Sequence, residues 1–430
     1  MFHQFRLQQI VHGGRVTLKD KSELRRRLTE LDGTLDRYLA GDYGIDADKK
    51  STFQKWKASH QPFHWFVHFY GIMLGGGFDV IIGNPPYLEQ SKLKGMYGVR
   101  GLRTASCRDI YAWVVERAFG LRAGTARLGL IVPVSIASSG SFTAARDIVS
   151  AGTSKLWLSH FANRPGQLFA GAQNRLTILL SDSGGDHGEH VYSTRYHRWF
   201  GREGERDSLL SVMRYTQFGE PTRSFHRLYS KVGAPEAASI LMRTLVKRSI
   251  GEQTVKQSNY LIYWVRVPGY FCQFFIDPPK ARPEKGGPAR LRGELNDICT
   301  SGEVNQRILH ALLNSSTYYQ FFAAYTDGRH INPSDVVDFP LDLDRFEPTV
   351  SKNLVLLSRR LEAGMRKHLS QSRKSGLLID SVDSRAVKPI LDEIDEVLAK
   401  HYGFTDEELD FIINYDIKYR VGAEDDSDEE

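Results

Sequence analysis

The stretch Phe78-Asp79-Val80-Ile81-Ile82-Gly83-Asn84-Pro85-Pro86-Tyr87 decides how this chain is read. Its first five residues form a short apolar run, rich in β-branched side chains and bounded by Gly75-Gly76-Gly77 and Gly83. That pattern predicts a buried strand of a parallel sheet. The next four residues form a stiff exit. Two consecutive prolines have fixed φ and no N–H, so the loop presents free backbone acceptors. The Asn84 side-chain carbonyl and the Pro85 backbone carbonyl are then suited to accept both hydrogens of an exocyclic amine, leaving the nitrogen lone pair localised for attack on a methyl donor. Tyr87 adds an aromatic face. Stacking on such a face recovers about 1 to 3 kcal/mol of the cost of unstacking a base.

Working outward, Ile110 to Phe119 has helical periodicity and Leu128 to Pro133 reads as a second buried strand. Phe142 to Val149 predicts a helix, and Leu156 to Phe161 and Leu176 to Leu180 predict further strands. The alternation is that of an α/β sheet. Upstream, Leu24, Leu28, Leu31 and Leu35 fall on one face of an amphipathic packing helix. After Ser181 the pattern changes to a stretch rich in aromatic residues, glycine and proline, reaching about Leu343 and holding Pro278-Pro279 and Gly286-Gly287-Pro288. From Val350 to about Tyr419 the pattern is helical, with a polar break at Ser370 to Ser375.

A chain of 430 residues with 41% hydrophobic and 25% charged residues has room for two or three domains. The formal charge is +6 although the chain ends in Glu424-Asp425-Asp426-Ser427-Asp428-Glu429-Glu430, so the body is more basic than the total. A basic body suits a polyanionic partner such as double-stranded DNA. No run of about twenty apolar residues is present and Met1 to Gln9 is polar, so a cytoplasmic protein with no membrane partner is expected. Cys107, Cys272 and Cys299 lie far apart with no metal-ligand spacing, and His64, His68, His330 and His401 are scattered; no metal site is expected.

The loop and its flanks resemble the adenine-N6 DNA methyltransferases with an Asn-Pro-Pro-Tyr signature, in particular the methylase part of type IIG restriction-modification enzymes. The resemblance rests on Pro62-Phe63-His64-Trp65-Phe66 leading into Gly76 to Tyr87. It extends to Asp109-Ile110-Tyr111, Gly129 to Pro133, Leu168-Phe169-Ala170-Gly171-Ala172, Leu309 to Tyr319, Ile331-Asn332-Pro333-Ser334-Asp335 and Ile394 to Phe404. It implies that Asn84, Pro85, Pro86 and Tyr87 are catalytic and that S-adenosylmethionine is the methyl donor. Phe169 is a candidate to face an extruded adenine, with core packing as the alternative. Asp109 either supports the loop or the cofactor, or caps a helix.

The fold expected is α/β. A partial Rossmann-like methyltransferase sheet at 61–183 follows an N-terminal helical segment at 1–60. A mixed α+β target-recognition domain at 184–345, a helical segment at 346–422 and a disordered acidic tail at 423–430 complete it. Arg266, Lys280 and Arg329 are candidates for DNA contact, among other basic residues (Arg282, Lys285, Arg290, Arg292) interleaved with Trp264, Tyr270 and Phe271. No Gly-x-Gly turn between a strand and a helix accompanies the loop: His12-Gly13-Gly14 follows no strand, and Gly75-Gly76-Gly77 precedes one. The S-adenosylmethionine-binding half is therefore expected outside this chain. The chain is then truncated, or its start placed too late, or a separate polypeptide supplies that half, or a nuclease, in trans. No nuclease motif is seen. Two other readings stay open: a DNA-binding specificity subunit without methyl transfer, and a methyltransferase acting on RNA or on a release-factor glutamine.

Overall fold

The computed structural model describes residues 17–93, 97–169, 173–185, 190–202, 204–217, 228–267, 271–291, 295–374 and 376–420. The acidic tail, Tyr270, Arg292, Ala170 to Ala172 and the His12-Gly13-Gly14 run lie outside them. The chain divides into two compact units: Met1–Ile136 with Ser141–Leu158 and Thr177–Val191, and Ala137–Gly140 with Ser159–Leu176 and Tyr192–Glu430. The whole is a mixed α/β protein with several sheets and many helices.

The first unit opens with α1 (Leu18–Asp42) and α2 (Lys50–His60). A reciprocal capping box between Thr17 and Asp20 starts α1 and satisfies backbone donors of its first turn. The leucine face is only partly covered, with Leu31 46% exposed, and the residues buried on this helix, Asp36 and Ala40, lie on another face. Asp36 accepts from His64 Nε2 at 2.8 Å and pairs with Lys57 Nζ at 2.5 Å. His68 Nε2 lies 3.2 Å from Asp32. Trp65 and Phe69 both meet Phe78 edge-on, at 5.8 and 5.2 Å between ring centroids. The aromatic phrase before the strand is thus structural: it ties α1 and α2 to the start of the strand that carries the loop.

The strands of this unit are β1 (Phe78–Gly83), β2 (Arg122–Pro133), β3 (Lys155–Phe161) as far as Leu158 and β4 (Leu176–Asp182) from Thr177, followed by the start of β5 (His190–His197). They run in the order β1-β2-β4-β3, and β1 and β2 are parallel with Gly83 opposite Leu130. Between them lies α3 (Ile110–Leu121), and α4 (Thr143–Ala151) precedes β3. The strand and helix positions expected from periodicity are all present. The burial expected of the first strand is not: β1 is the edge of its sheet, and Val80 and Ile82 are 65% and 86% exposed. An edge strand has a neighbour on one side only, so its apolar composition does not buy it cover. Gly77, just before β1, has φ +121, and a Cβ there would lie 2.6 Å from Leu121 O and Arg122 C. Only glycine lets the chain pass the end of α3 so closely.

In the second unit β5 pairs antiparallel with β6 (Thr216–Gln217) from Tyr192 onward. β7 (Thr254–Val255), β8 (Leu261–Val265), β9 (Phe274–Phe275) and β12 (Leu295–Thr300) form a sheet ordered β7-β12-β8-β9. β10 (Lys280–Pro283), β11 (Arg290–Leu291), β13 (Leu369–Lys374) and β14 (Leu377–Val382) form another, ordered β11-β10-β14-β13. The longer helices are α5 (Pro235–Thr244), α6 (Glu303–Asn314), α7 (Ser316–Tyr325), α8 (Pro348–Lys367), α9 (Lys388–Tyr402) and α10 (Asp406–Asn414). The polar break read at Ser370 to Ser375 is strand from Ser370 to Lys374, one arm of an antiparallel hairpin inside the segment expected to be helical. One apolar core runs from Leu228 to Tyr415 and includes Trp264, Phe274, Tyr318, Tyr319 and Leu354. No helix among the described residues is long and apolar enough to cross a membrane.

Candidate functional site

β1 ends at Gly83, and the loop that follows leaves the sheet at its edge. Asn84 and Pro86 are exposed, Pro85 is buried and Tyr87 is half-buried. The loop is closed on itself: Tyr87 Oη donates to Asn84 Oδ1 at 2.6 Å and lies 2.9 Å from Ile131 O on β2. A carbonyl oxygen has two lone pairs, so Asn84 Oδ1 retains capacity for a further donor while Tyr87 holds it. Burial pushes the Tyr87 phenol up to about 12, which keeps it a neutral donor.

Behind the loop the Tyr87 ring meets Tyr111 edge-on at 6.5 Å, and Tyr111 stacks on Phe142 at 5.0 Å and 15°. Tyr111 Oη shares a hydrogen bond with Ser135 Oγ at 2.8 Å, and its phenol is raised far by burial. The buried Arg146 guanidinium donates to Ile136 O at 2.9 Å and to Thr143 Oγ1 at 3.0 Å. It thereby fixes the turn after β2 to α4. The chain past the loop is clamped by backbone bonds from Ile110 N to Leu88 O and from Gln90 N to Arg108 O. Asp109, for which two roles were open, is the N-cap of α3: its carboxylate accepts from Tyr111 N at 3.3 Å, and burial, the largest influence, raises its pKa.

Phe169, Arg266, Lys280 and Arg329 all belong to the second unit. Phe169 is 40% exposed, so it is not a core residue. Arg266 is exposed at the end of β8, where its carbonyl accepts from Ile331 N at 2.8 Å, which brings it beside the segment of Arg329. Arg329 and His330 are ordered by Asp327, which accepts from both backbone amides and from the His330 ring and pairs with Arg175 at 2.9 Å. That cluster holds the Asp327 carboxyl down at about 2 against the opposing effect of burial. Lys280 sits on a different sheet. There Lys280 and Arg282 alternate on the exposed face of β10, opposite Leu291 and Leu378 of the neighbouring strands. That shared face was readable as an i, i+2 pair, but the flanking prolines hid the strand. The aromatic partners expected on a DNA surface are elsewhere: Trp264 is wholly buried, donating to Ile331 O at 3.1 Å, and Phe271 is buried too.

Among the described residues no Gly-x-Gly turn of the kind expected for S-adenosylmethionine joins a strand to a helix. The Gly75-Gly76-Gly77 run leads from a helix into β1, not from a strand into a helix. β1 runs into the proline loop, and β2 into the one-turn helix Ser135–Ser138 with no glycine between them. No residue of this chain is assigned to the cofactor.

Residues 19–165 match the Eco57I restriction-modification methylase family. The match takes in α1, the aromatic phrase, β1, the Asn84 to Tyr87 loop and the strands and helices as far as β3. Solved structures similar to the chain include the type IIL restriction-modification enzyme MmeI in complex with DNA, at 11% identity and a TM-score of 0.39 over 79% of this chain and 57% of that one. A nuclease-deletion mutant of the type ISP enzyme LlaGI with a DNA substrate mimic is similar at 9% identity and 0.37, over 74% and 47%. The type IIG restriction endonuclease BpuSI is similar at 9% identity and 0.28, over 78% and 54%. The chain spans about half the length of these enzymes. No curated relative matches it.

Proposed function

We propose that this chain is the methylase part of a restriction-modification system and transfers a methyl group to the N6 amine of an adenine in double-stranded DNA, with Asn84, Pro85, Pro86 and Tyr87 as the catalytic loop. The observation that carries the reading is the family match over residues 19–165 together with the loop at its centre, where an exposed Asn84 carbonyl is held by Tyr87 Oη at 2.6 Å. Adenine would leave the duplex, and its amine would donate one hydrogen to Asn84 Oδ1 and one to the Pro85 carbonyl. Both acceptors are fixed before the base arrives, by the proline pair and by the bonds to Asn84 and Ile131. That is catalysis by positioning and preorganised dipoles. The methyl donor is S-adenosylmethionine, which on this reading is held by residues other than those described here, in the same or a separate polypeptide. Arg266, Lys280 and Arg329 serve DNA contact. The setting is cytoplasmic host defence.

The test is to incubate the chain with duplex genomic DNA and radiolabelled S-adenosylmethionine, alone and with the products of neighbouring genes, and to identify methylated nucleosides by mass spectrometry. N6-methyladenine that falls on the order of 10²-fold with Asn84→Ala supports the reading. Methylation that survives Asn84→Ala refutes the loop assignment, and label in RNA or protein instead of DNA refutes the substrate.

A further inference from the structure

The sheet β11-β10-β14-β13 has almost no core of its own. None of the described residues of β10, β11 and β13 is buried, and on β14 only Val382 is. Leu291, Leu369 and Leu377 are 52%, 45% and 38% exposed. A small antiparallel sheet ordinarily hides one face against a neighbour, so a sheet left this open invites the question of what lies on it. Register places its charges. Arg282 of β10 and Arg373 of β13 both stand opposite Leu378 of β14, so the two arginines share one face, about 10 Å apart at two strand spacings. Two residues along on that face, Gln371 stands opposite Asp380, and Lys280 donates its backbone N–H to Asp380 Oδ2 at 3.4 Å.

Ion pairs do not use this charge up. Arg373 Nε lies 3.8 Å from Glu284 with its side chain 82% exposed, and Arg282 Nη2 lies 3.8 Å from Asp380 with its side chain 46% exposed. Exposed pairs of this kind are worth little and are readily exchanged for another anion. Lys285, in the turn after β10, and Arg290 of β11 are exposed as well, so cations outnumber the carboxylates Glu284 and Asp380. A second observation concerns Gln371. Its Nε2 donates to Asp380 Oδ1 at 2.9 Å, which fixes the amide and leaves one N–H and the carbonyl oxygen to spare. That donor and acceptor match the major-groove edge of adenine, as the fork of Arg373 matches that of guanine. The two side chains lie two residues apart on one strand, about 7 Å, which is the length of two base-pair steps.

We propose that the hairpin of β13 and β14 enters the major groove of duplex DNA, with Arg373 and Gln371 on base edges and Lys280 and Arg282 on the phosphates beside it. Charge complementarity selects a polyanion, and the major groove, about 12 Å wide, admits a two-stranded ribbon. The proposal rests on the reading that this chain acts on duplex DNA. It places sequence recognition in the hairpin at 369–382, beyond the stretch at 184–345 in which the sequence led us to expect it.

The test is to select bound duplexes from a randomised library with the full chain, sequence them, and measure affinity for one selected duplex at several salt concentrations. Arg373→Ala is expected to relax the preference at one position of the selected sequence roughly tenfold, and Gln371→Ala at another, with the remaining positions unchanged. Arg373→Lys should not restore it, because an ammonium lacks the fork. Lys280→Gln and Arg282→Gln should weaken all sequences alike and each lower the slope of log affinity against log salt by about one. These side chains are exposed, so thermal unfolding of the variants should match the wild type. No preference in the wild-type chain, an Arg373→Ala variant that weakens every duplex equally, or tighter binding of single-stranded RNA than of duplex overturns the proposal. Binding needs no methyl transfer, so the two readings fail separately. A preference that responds to Arg373 in a chain that methylates nothing upholds the hairpin and sinks the catalytic reading. N6-methyladenine formed at the same sites by wild type and Arg373→Ala does the reverse.

Discussion

Replacing Tyr87 with phenylalanine removes one oxygen from the support of the loop and leaves its shape and ring contacts intact. The hydroxyl carries a single proton and faces two acceptors, Asn84 Oδ1 at 2.6 Å and Ile131 O at 2.9 Å, so the variant loses the worth of about one hydrogen bond. Net of water, that is about 1 kcal/mol of stability, read as a lower urea midpoint for Tyr87→Phe. The same energy is what restrains the Asn84 amide. If the restraint serves only to aim the carbonyl, the rate of methyl transfer falls about fivefold, since 1.36 kcal/mol corresponds to tenfold. Affinity for DNA should not change. A loss of about 10³-fold or more would show that the hydroxyl itself exchanges a proton in the reaction and would refute the positioning argument. Unchanged stability and unchanged rate would refute the clamp.

Other consequences are testable without knowing the DNA sequence recognised. Lys231 is wholly buried, its ammonium donating to Ala324 O at 2.8 Å and Thr326 O at 2.6 Å, and burial lowers its pKa from 10.5 to about 7. A lowered lysine pKa means the unfolded chain holds the extra proton, so between about pH 7 and 10 this group makes stability rise with pH, by at most about 1.4 kcal/mol per unit. Lys231→Met should flatten that slope in denaturant titrations at successive pH values, and an identical slope in both proteins would sink the assignment. Gly77→Ala should destabilise by at least about 3 kcal/mol because its Cβ meets backbone at 2.6 Å. Gly76→Ala, at φ +102 but with nothing within 4 Å, should cost only about 1 to 2 kcal/mol; equal effects on the unfolding midpoint would contradict the close-approach argument.

What the sequence made legible were features carried by local pattern. The strand at Phe78, the helix at Ile110 and the strand reaching Pro133 follow from periodicity and from the turn formers around them, and the loop follows from the chemistry of Asn84 and its prolines. What it hid depends on neighbours. An apolar strand reads as buried whether it lies in the middle of a sheet or, as β1 does, at the edge with Ile82 86% exposed. Trp264 reads equally well as a stacking platform or as core, and only the sheet behind it decides. The hairpin at Ser370 was missed because its polar residues, such as Gln371 and Ser372, face solvent and give no apolar alternation.

The loop also makes a claim about pH that separates two kinds of mechanism. Asn84, Pro85 and Pro86 do not titrate, and the phenol of Tyr87 is pushed up to about 12. A transfer that depends only on holding the amine therefore has no basic limb from these residues through pH 10, where an ordinary tyrosine would begin to ionise. Asp109, behind the loop, is raised by burial, and as the cap of α3 it acts on structure. Because its pKa is raised, the folded chain takes up this proton more readily than the unfolded one, so acid does not unfold the protein through Asp109. An acid limb that came from it should appear without loss of folded protein and should vanish in Asp109→Asn, whose side-chain carbonyl caps without titrating. The measurement is the single-turnover rate from pH 5 to 10 beside circular dichroism at the same points. A level profile across neutral pH is the expected result. A bell with a limb between pH 7 and 9 and no change in structure would mean that a general base takes the amine proton before transfer, and the positioning mechanism built on Asn84 and Tyr87 would fall.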